Sequence, residues 1–331
     1  MSRLKRNIPL FAVSCAAMCA SLSTFAAQPD PAQAYPERSV RFIVPFEPGA
    51  GTDITARTIA AKLSDRWKQQ VIADNRTGGA GAVGLETTKN AVPDGYTICL
   101  ISASSSVNSA VNTKLPYDLT RDLQGITQAT SLFYALYLHP SVPATNIKEL
   151  VAYTKANPRK LNYGSSGTGG LQHLSGELFD YLAGTRLTHV PYKGSAPALI
   201  AAIANETQLG FGTLLGLRQY MQSGRLRVLG ITAAKRSAAA PELPTIAEAG
   251  VPGYAVDQWY GVITGAKVPA SIVSKINNAI IESLKAPDVV QRLTSDGSTP
   301  IGSTPEQFNV HIKSEISKWR KLAADAKLTL Q

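Results

Sequence analysis

Two glycine-rich turns hold the residues whose types and spacing could do chemistry. The first reads Pro45-Phe46-Glu47-Pro48-Gly49-Ala50-Gly51-Thr52-Asp53, and the second Tyr163-Gly164-Ser165-Ser166-Gly167-Thr168-Gly169-Gly170-Leu171-Gln172-His173. Each follows an apolar run and opens a helical pattern. A helix entered in this way offers its first backbone N–H groups without intrahelical acceptors, at the positive end of its dipole. Glycine lets an anion approach that backbone closely, and the hydroxyls of Thr52, Ser165, Ser166 and Thr168 add donors. Either turn alone could be a tight corner. As a pair, one per lobe, they would make a cleft with two oxygen-binding ends.

Further candidates surround them. Ser102-Ala103-Ser104-Ser105-Ser106 follows a strand, at the end where open α/β sheets bind ligands, although serines there also cap helices. Tyr192-Lys193-Gly194 follows another strand and would add a phenol and a cation, or Lys193 could be a plain surface charge. Asp53 reads equally as a ligand group or as a helix cap. Phe46, Tyr192 and Trp259 could shape the rest of a pocket.

Catalytic sets are weak by comparison. The four histidines, His139, His173, His189 and His311, show no metal-ligand spacing with one another. Gly164-Ser165-Ser166-Gly167 lacks the Gly-x-Ser-x-Gly pattern of a nucleophile elbow. His173 could act as a general base, but one turn into a helix it fits a cap or a cleft wall better. Gly79-Ala80-Gly81-Ala82-Val83-Gly84 matches the dinucleotide fingerprint, yet the next strand ends in Ile101-Ser102-Ala103, with no acid to hold a ribose. No cofactor and no metal are therefore expected.

The elements that must position these groups alternate as strand and helix. Val40 to Pro45 is a short apolar run of the kind buried in parallel sheets. Behind the first turn, Ala56, Ala60, Leu63 and Trp67 share one helical face. Gln70 to Ala73 and Tyr96 to Ile101 read as strands, giving the βαβα order of a parallel sheet covered by helices. A long β-rich run, Asp122 to His139, interrupts the order. It restarts with a helix over Ile147 to Ala156, a strand from Lys160 to Gly164, and a helix striped by Leu171, Leu174, Leu178 and Leu182 that Gly184 should stop. Strands then fall at Leu187–Val190, Gln208–Gly212, Val228–Thr232 and Trp259–Thr264, and helices at Ala196–Ala204, Ala270–Leu284 and Pro305–Lys327. The Pro-rich segment Pro241 to Pro252 reads as a connection. Two glycine-rich strand-to-helix turns in two α/β blocks suggest two similar lobes.

The first residues read as an export signal. Arg3, Lys5 and Arg6 precede an apolar stretch from Ile8 to Leu22, and Thr24-Phe25-Ala26 offers small residues for cleavage after Ala26. Ala32-Gln33-Ala34 is a second, more distant candidate. Cys15 and Cys19 would leave with residues 1–26, so Cys99 alone remains and no internal disulfide forms. The formal charge of +10 loses Arg3, Lys5 and Arg6 and no acids on cleavage, leaving +7 on 305 residues. Lys and Arg are scattered without a run of four, which argues against nucleic acid and for attraction of anionic solutes.

With these residues in view, the chain resembles the Bug-type receptors, the periplasmic binding proteins of tripartite tricarboxylate transporters. The resemblance rests on Ile43-Val44-Pro45-Phe46-Glu47-Pro48-Gly49 with Asp53 and Ala56-Arg57, on Asp74-Asn75-Arg76, and on Pro93-Asp94-Gly95-Tyr96-Thr97. It continues through Leu115-Pro116-Tyr117-Asp118, Leu161 to Gly167 with Gln172-His173-Leu174, and His189 to Ala198. Pro244 to Gly250 and Thr304 to Phe308 complete it, so it covers nearly all of the mature chain. It implies a two-lobe α/β fold of the type II periplasmic binding class, with the cleft between the lobes. One lobe would take residues 35–132 and 257–331, the other 133–256. It further implies that Pro48 to Asp53 and Ser165 to Gly169 grip a ligand carboxylate, with His173 behind. Two positions depart from the family pattern. Ala50 stands where Pro-Gly-Gly is usual, and Gly212-Thr213 stands where an acid often follows the strand. The second departure suits a ligand without an amino group, such as a plain dicarboxylate or an aromatic acid.

The expectation is a monomeric periplasmic receptor that passes a small organic acid to membrane transporter subunits. Two other classes stay open at this point: a receptor that signals to a membrane sensor kinase, and a secreted hydrolase.

Overall fold

The structure is a computed structural model that describes residues 30, 32–49, 51–237, 239–295 and 297–325. The expected signal segment, Ala50 and the end of the last expected helix beyond Asp325 lie outside the described residues.

In chain order the elements are β1 (Val40–Val44), α1 (Gly51–Trp67), β2 (Val71–Asn75), α2 (Ala82–Lys89), β3 (Thr97–Ser102), α3 (Ala103–Val111), β4 (Leu123–Phe133), β5 (Ala135–Leu138), α4 (Ile147–Ala156), β6 (Asn162–Ser165) and α5 (Leu171–Ala183). There follow β7 (Thr188–Pro191), α6 (Ser195–Ile203), β8 (Leu209–Gly212), α7 (Leu214–Gln222), β9 (Arg227–Ile231), β10 (Asp257–Gly265), α8 (Ala270–Leu284), α9 (Pro287–Ser295), β11 (Thr299–Pro300) and α10 (Pro305–Asp325).

They build two sheets, ordered β11-β4-β10-β3-β1-β2 and β7-β6-β8-β5-β9. The plan repeats. Three parallel strands (β2-β1-β3, then β7-β6-β8) are followed by an antiparallel strand, β10 or β5, and then by β4 or β9. Phe42, Ile43 and Val44 of β1 are wholly buried, as a central parallel strand requires when helices cover both faces. Ala56, Ile59, Ala60 and Leu63 form the buried stripe of α1. This is the two-lobe α/β fold expected from the sequence.

The chain crosses between the sheets twice. Tyr134 alone separates β4 from β5, and residues 232–256 separate β9 from β10. The crossings are tied together. Tyr134 N–H donates to Thr232 Oγ1 (2.9 Å), Gln258 Nε2–H donates to the Tyr134 phenol (3.1 Å), and Thr232 N–H donates to the Tyr134 carbonyl (2.8 Å).

Several elements differ from the sequence reading. The β-rich run Asp122 to His139 is two strands in different sheets, since Leu123–Phe133 pairs with β10 and Ala135–Leu138 with β8 and β9. The serine-rich segment after β3 is helix α3 itself, with Ser105 and Ser106 buried. Helices α7 and α9 were not anticipated; Pro287 at the first position of α9 and Asp288 in its first turn favour its start. Gly184 does stop α5, at φ 64°, in the left-handed region where a Cβ is disfavoured. Gly84 of the false dinucleotide pattern packs α2 on β1, because a Cβ there would lie 2.7 Å from Pro45 Cβ.

Candidate functional site

A cavity of about 600 Å³ is lined by residues from elements of both sheets. Three helix N-termini border it: α1 through Pro48, Gly49 and Gly51, α6 through Lys193 to Pro197, and α7 through Gly212 and Thr213. Tyr134, Tyr137, Tyr260 and Phe211 give it aromatic walls, and Ile54, Leu199 and Leu217 an aliphatic one. Among the described lining residues Lys193 is the single basic side chain and Glu47 the single acid. A smaller depression of about 400 Å³ between α3 and α10 shares no lining residue with it.

The first turn is built on Asp53. Its side chain is almost fully buried. It accepts from Gly49 N–H (2.9 Å), Arg57 Nε–H (2.9 Å) and Asn75 Nδ2–H (3.0 Å). Asn75 Nδ2–H also donates to the Phe46 carbonyl (2.9 Å), so strand β2 braces the turn from behind. Burial alone would push the Asp53 carboxyl up, but the hydrogen bonds from Arg57, Gly49 and Asn75 outweigh it and hold the carboxyl below the usual range. Of the two readings of Asp53, this geometry is that of a cap. Gly49 has φ 82°, which requires glycine, and a Cβ on Gly51 would lie 2.5 Å from the Tyr260 hydroxyl. Thr52 is buried in α1, and Phe46 joins the turn through its carbonyl rather than lining the cavity.

The second turn is largely bonded to itself. Ser166 N–H donates to Gln172 Oε1 (2.8 Å), Gly169 N–H to His173 Nδ1 (3.1 Å) and Gly167 N–H to Ser165 Oγ (3.2 Å). Ser165 Oγ lies 2.6 Å from His189 Nε2, and the rings of His173 and His189 stack at 3.9 Å. Because His173 Nδ1 accepts from Gly169, its proton resides on Nε2, 3.6 Å from Glu177 Oε1. Tyr163 hydroxyl donates to that same carboxylate (2.7 Å). Burial, helped by the neighbouring His173, lowers His189 to about 4, so it is neutral at neutral pH. The Ser165–His189 distance resembles a nucleophile–base pair, but Ser165 is fully buried.

The structure therefore brings Pro48, Gly49, Gly51 and Lys193 of the expected residues to the cavity wall, whereas Ser165, Ser166, Gly167, Thr168 and Gly169 of the second turn are not among its lining residues, because that turn is folded onto Gln172, His173 and His189. Gln172 is the link, lining the cavity, accepting from Ser166 N–H and from Ser195 Oγ–H (3.3 Å), and donating to the Phe211 carbonyl (2.6 Å). Ser102 sits buried at the start of α3, and Ser104 Oγ accepts from Leu171 N–H across the two halves (3.3 Å). Trp259 is fully buried against Phe308 and His311, away from the cavity wall. Tyr192 is half-buried and its N–H donates to the Ser165 carbonyl (3.0 Å).

Sequence reasoning missed Gln172, Ser195, Ala196, Tyr137 and Tyr260 as lining residues, whereas Gly212 and Thr213, singled out there as a departure from the family pattern, do line the cavity. One signal was available: Gly194, at φ 125°, makes Lys193-Gly194-Ser195 a third glycine-containing strand-to-helix turn. The tyrosines gave none, because β5 and β10 belong to different sheets and only the folded chain brings both to the same cavity.

Known proteins share this architecture. BugT of Bordetella pertussis is 32% identical over 295 residues, 88% of this chain and 90% of that protein. A structure described as a periplasmic transporter is 37% identical with a TM-score of 0.83, covering 90% of this chain and 100% of that one. An R. palustris protein solved with adipate is 34% identical, also with a TM-score of 0.83, over 88% of this chain and 98% of that one. The family model described as "Tripartite tricarboxylate transporter family receptor" matches residues 55–328, and with the resemblance read from the turns thus borne out, the chain belongs to that receptor family.

Proposed function

We propose that this protein is a periplasmic receptor that encloses a small carboxylate, a dicarboxylate or an aromatic acid, and delivers it to the membrane subunits of a tripartite tricarboxylate-type transporter. The observation that carries this reading is the meeting of the N-termini of α1, α6 and α7 around one cavity. Aligned helix dipoles from both halves favour an anion there. Lys193 at the rim adds attraction, and the adipate held by a relative of the same fold supports the ligand class. Among the described residues no helix is long and apolar enough to cross a membrane, in keeping with a receptor that works beside its transporter. The buried Ser165 hydroxyl, without access for a substrate, supports capture rather than hydrolysis. Closure would follow from contacts that one ligand makes with both halves, and a monomer leaves the halves free to move.

The test is thermal shift of the mature protein against organic acids, amino acids and neutral amides, with the ligand analysed after incubation. A ligand at about a thousandfold its Kd stabilises by roughly 4 kcal/mol. A rise with one class of acid and unchanged ligand supports the reading. No rise with any acid, or a consumed ligand, refutes it.

A further inference from the structure

The depression between α3 and α10 continues along α10 into a second one of about 250 Å³, and the two share Leu119, Thr120 and Lys313. Together they form one groove. Its α10 side is supplied by Asn309, Ile312, Lys313, Ile316, Ser317 and Arg320. Their spacing of three and four residues puts all six on one stripe of the helix. From Asn309 to Arg320 that stripe runs about 16 Å, at about 1.5 Å per residue. The facing wall comes mainly from the segment that links α3 to β4.

The groove has an apolar floor and a cationic edge. Ile312, Ile316 and Leu119 are buried, whereas Lys313, Ser317 and Arg320 are exposed. Asp118 is the single acid of the lining among the described residues, and its Oδ1 already accepts from Thr120 N–H (2.8 Å), Thr120 Oγ–H (2.8 Å) and Arg121 N–H (3.1 Å). The nearby Asp122 is paired with Arg121 (2.8 Å) and lies 3.7 Å from Lys89. On α10 itself the buried Glu315 accepts from Trp319 Nε1–H (3.1 Å) and pairs with Lys318 (3.4 Å). Among the described residues Lys313 and Arg320 have no ion-pair partner. Two free cations therefore border a groove whose own acids are engaged.

A small anion would occupy one end of such a groove, but its length fits a chain. At about 3.3 Å per residue, an extended peptide covers that distance with about five residues. Alternate side chains of such a peptide point the same way, so apolar ones can rest on the floor while acids reach the cationic edge. We propose that this groove is a docking surface for an extended acidic peptide segment of a partner protein. It is separate from the cavity, so the proposal does not rest on which acid the receptor carries.

Fluorescence anisotropy of the mature protein with labelled Asp-Leu-Asp-Leu-Asp tests it, with Asn-Leu-Asn-Leu-Asn as the neutral analogue. The acidic peptide should bind about tenfold more tightly or better. Lys313→Glu combined with Arg320→Glu should weaken it by about tenfold or more, because like charges then face each other. Ser317→Trp should weaken it as well, by filling the groove without changing its charge. Arg186→Glu, between α5 and β7, should leave binding unchanged. All four altered side chains are exposed, and a Tm close to that of wild type checks that each variant folds. No binding of the acidic peptide, equal binding of the neutral one, binding that survives the groove variants, or equal weakening by Arg186→Glu overturns the proposal. Displacement of the peptide by inorganic phosphate at matched ionic strength also overturns it, and assigns the groove to small anions.

Discussion

Replacing Asp53 by alanine removes the group around which the first glycine-rich turn is folded. The loss can be estimated contact by contact. Gly49 N–H and Asn75 Nδ2–H each lose an acceptor in a nearly buried position, at about 1 kcal/mol apiece. The Arg57 pair contributes little beyond that, about 0.5 kcal/mol, because the arginine is half exposed to water. The sum, roughly 2–3 kcal/mol, corresponds to a fall in Tm of about 3–5 °C for a chain of this size. Asp53→Asn keeps one acceptor oxygen and should lose about half as much. A double-mutant cycle with Asn75→Ala should return a coupling of about 1 kcal/mol, as expected of groups in direct contact. The acid dependence follows from the lowered carboxyl. Its stabilisation is complete above the unfolded-state value and disappears as pH falls through the lower folded-state value. The gap between wild type and Asp53→Ala should therefore close in strong acid. Differential scanning calorimetry across pH reads all of this. A Tm for Asp53→Ala within about 1 °C of wild type at pH 7 would refute the turn-building role.

Ser104→Ala removes the hydroxyl that accepts from Leu171 N–H across the two halves. The loss of about 1 kcal/mol shifts the closed-to-open ratio roughly fivefold; small-angle scattering of the unliganded protein should show a larger radius of gyration, and an unchanged one counts against the contact. For His189 the folded value is about 4, below the ordinary 6.5. The unfolded chain then takes up the proton first on acidification, so stability is fully present above about 6.5 and drains away toward 4. His189→Gln should flatten that part of the Tm-against-pH curve, and a slope as steep as wild type's would sink the assignment. Gly261→Ala should destabilise by about 1–3 kcal/mol through overpacking, since the new methyl would sit 2.1 Å from Phe308 Cζ; an unchanged Tm would mean the ring can withdraw.

Sequence alone placed the strands and helices wherever periodicity and a stop signal coincided, as at Leu171 to Gly184. It could not divide Asp122 to His139, because the residues on both sides of Tyr134 are equally apolar and only pairing partners distinguish β4 from β5. The serines after β3 read as ligand donors or helix caps, yet Ser105 and Ser106 are buried within α3. At the cavity, Pro48, Gly49, Gly51 and Lys193 were legible because glycine and position after a strand announce a helix N-terminus. The hydroxyls of the second turn were equally legible as donors. That their neighbours Gln172, His173 and His189 already engage this turn depends on distances across α5 and β7, which no spacing encodes.

The double crossing of the chain also bears on how the molecule is assembled in time. β10 is the middle strand of its sheet, flanked by β3 and β4, yet Tyr260 pairs with Ser102, 158 positions earlier. Until residues 257–265 arrive, β3 and β4 are two unjoined edges with no partner between them. Loop closure over such a span is entropically costly and slow, and topologies dominated by distant pairings fold late. A nascent or translocating chain lacking β10 would thus stay open, with its sheet edges accessible to chaperones, and cooperative folding of this lobe would await the C-terminal third.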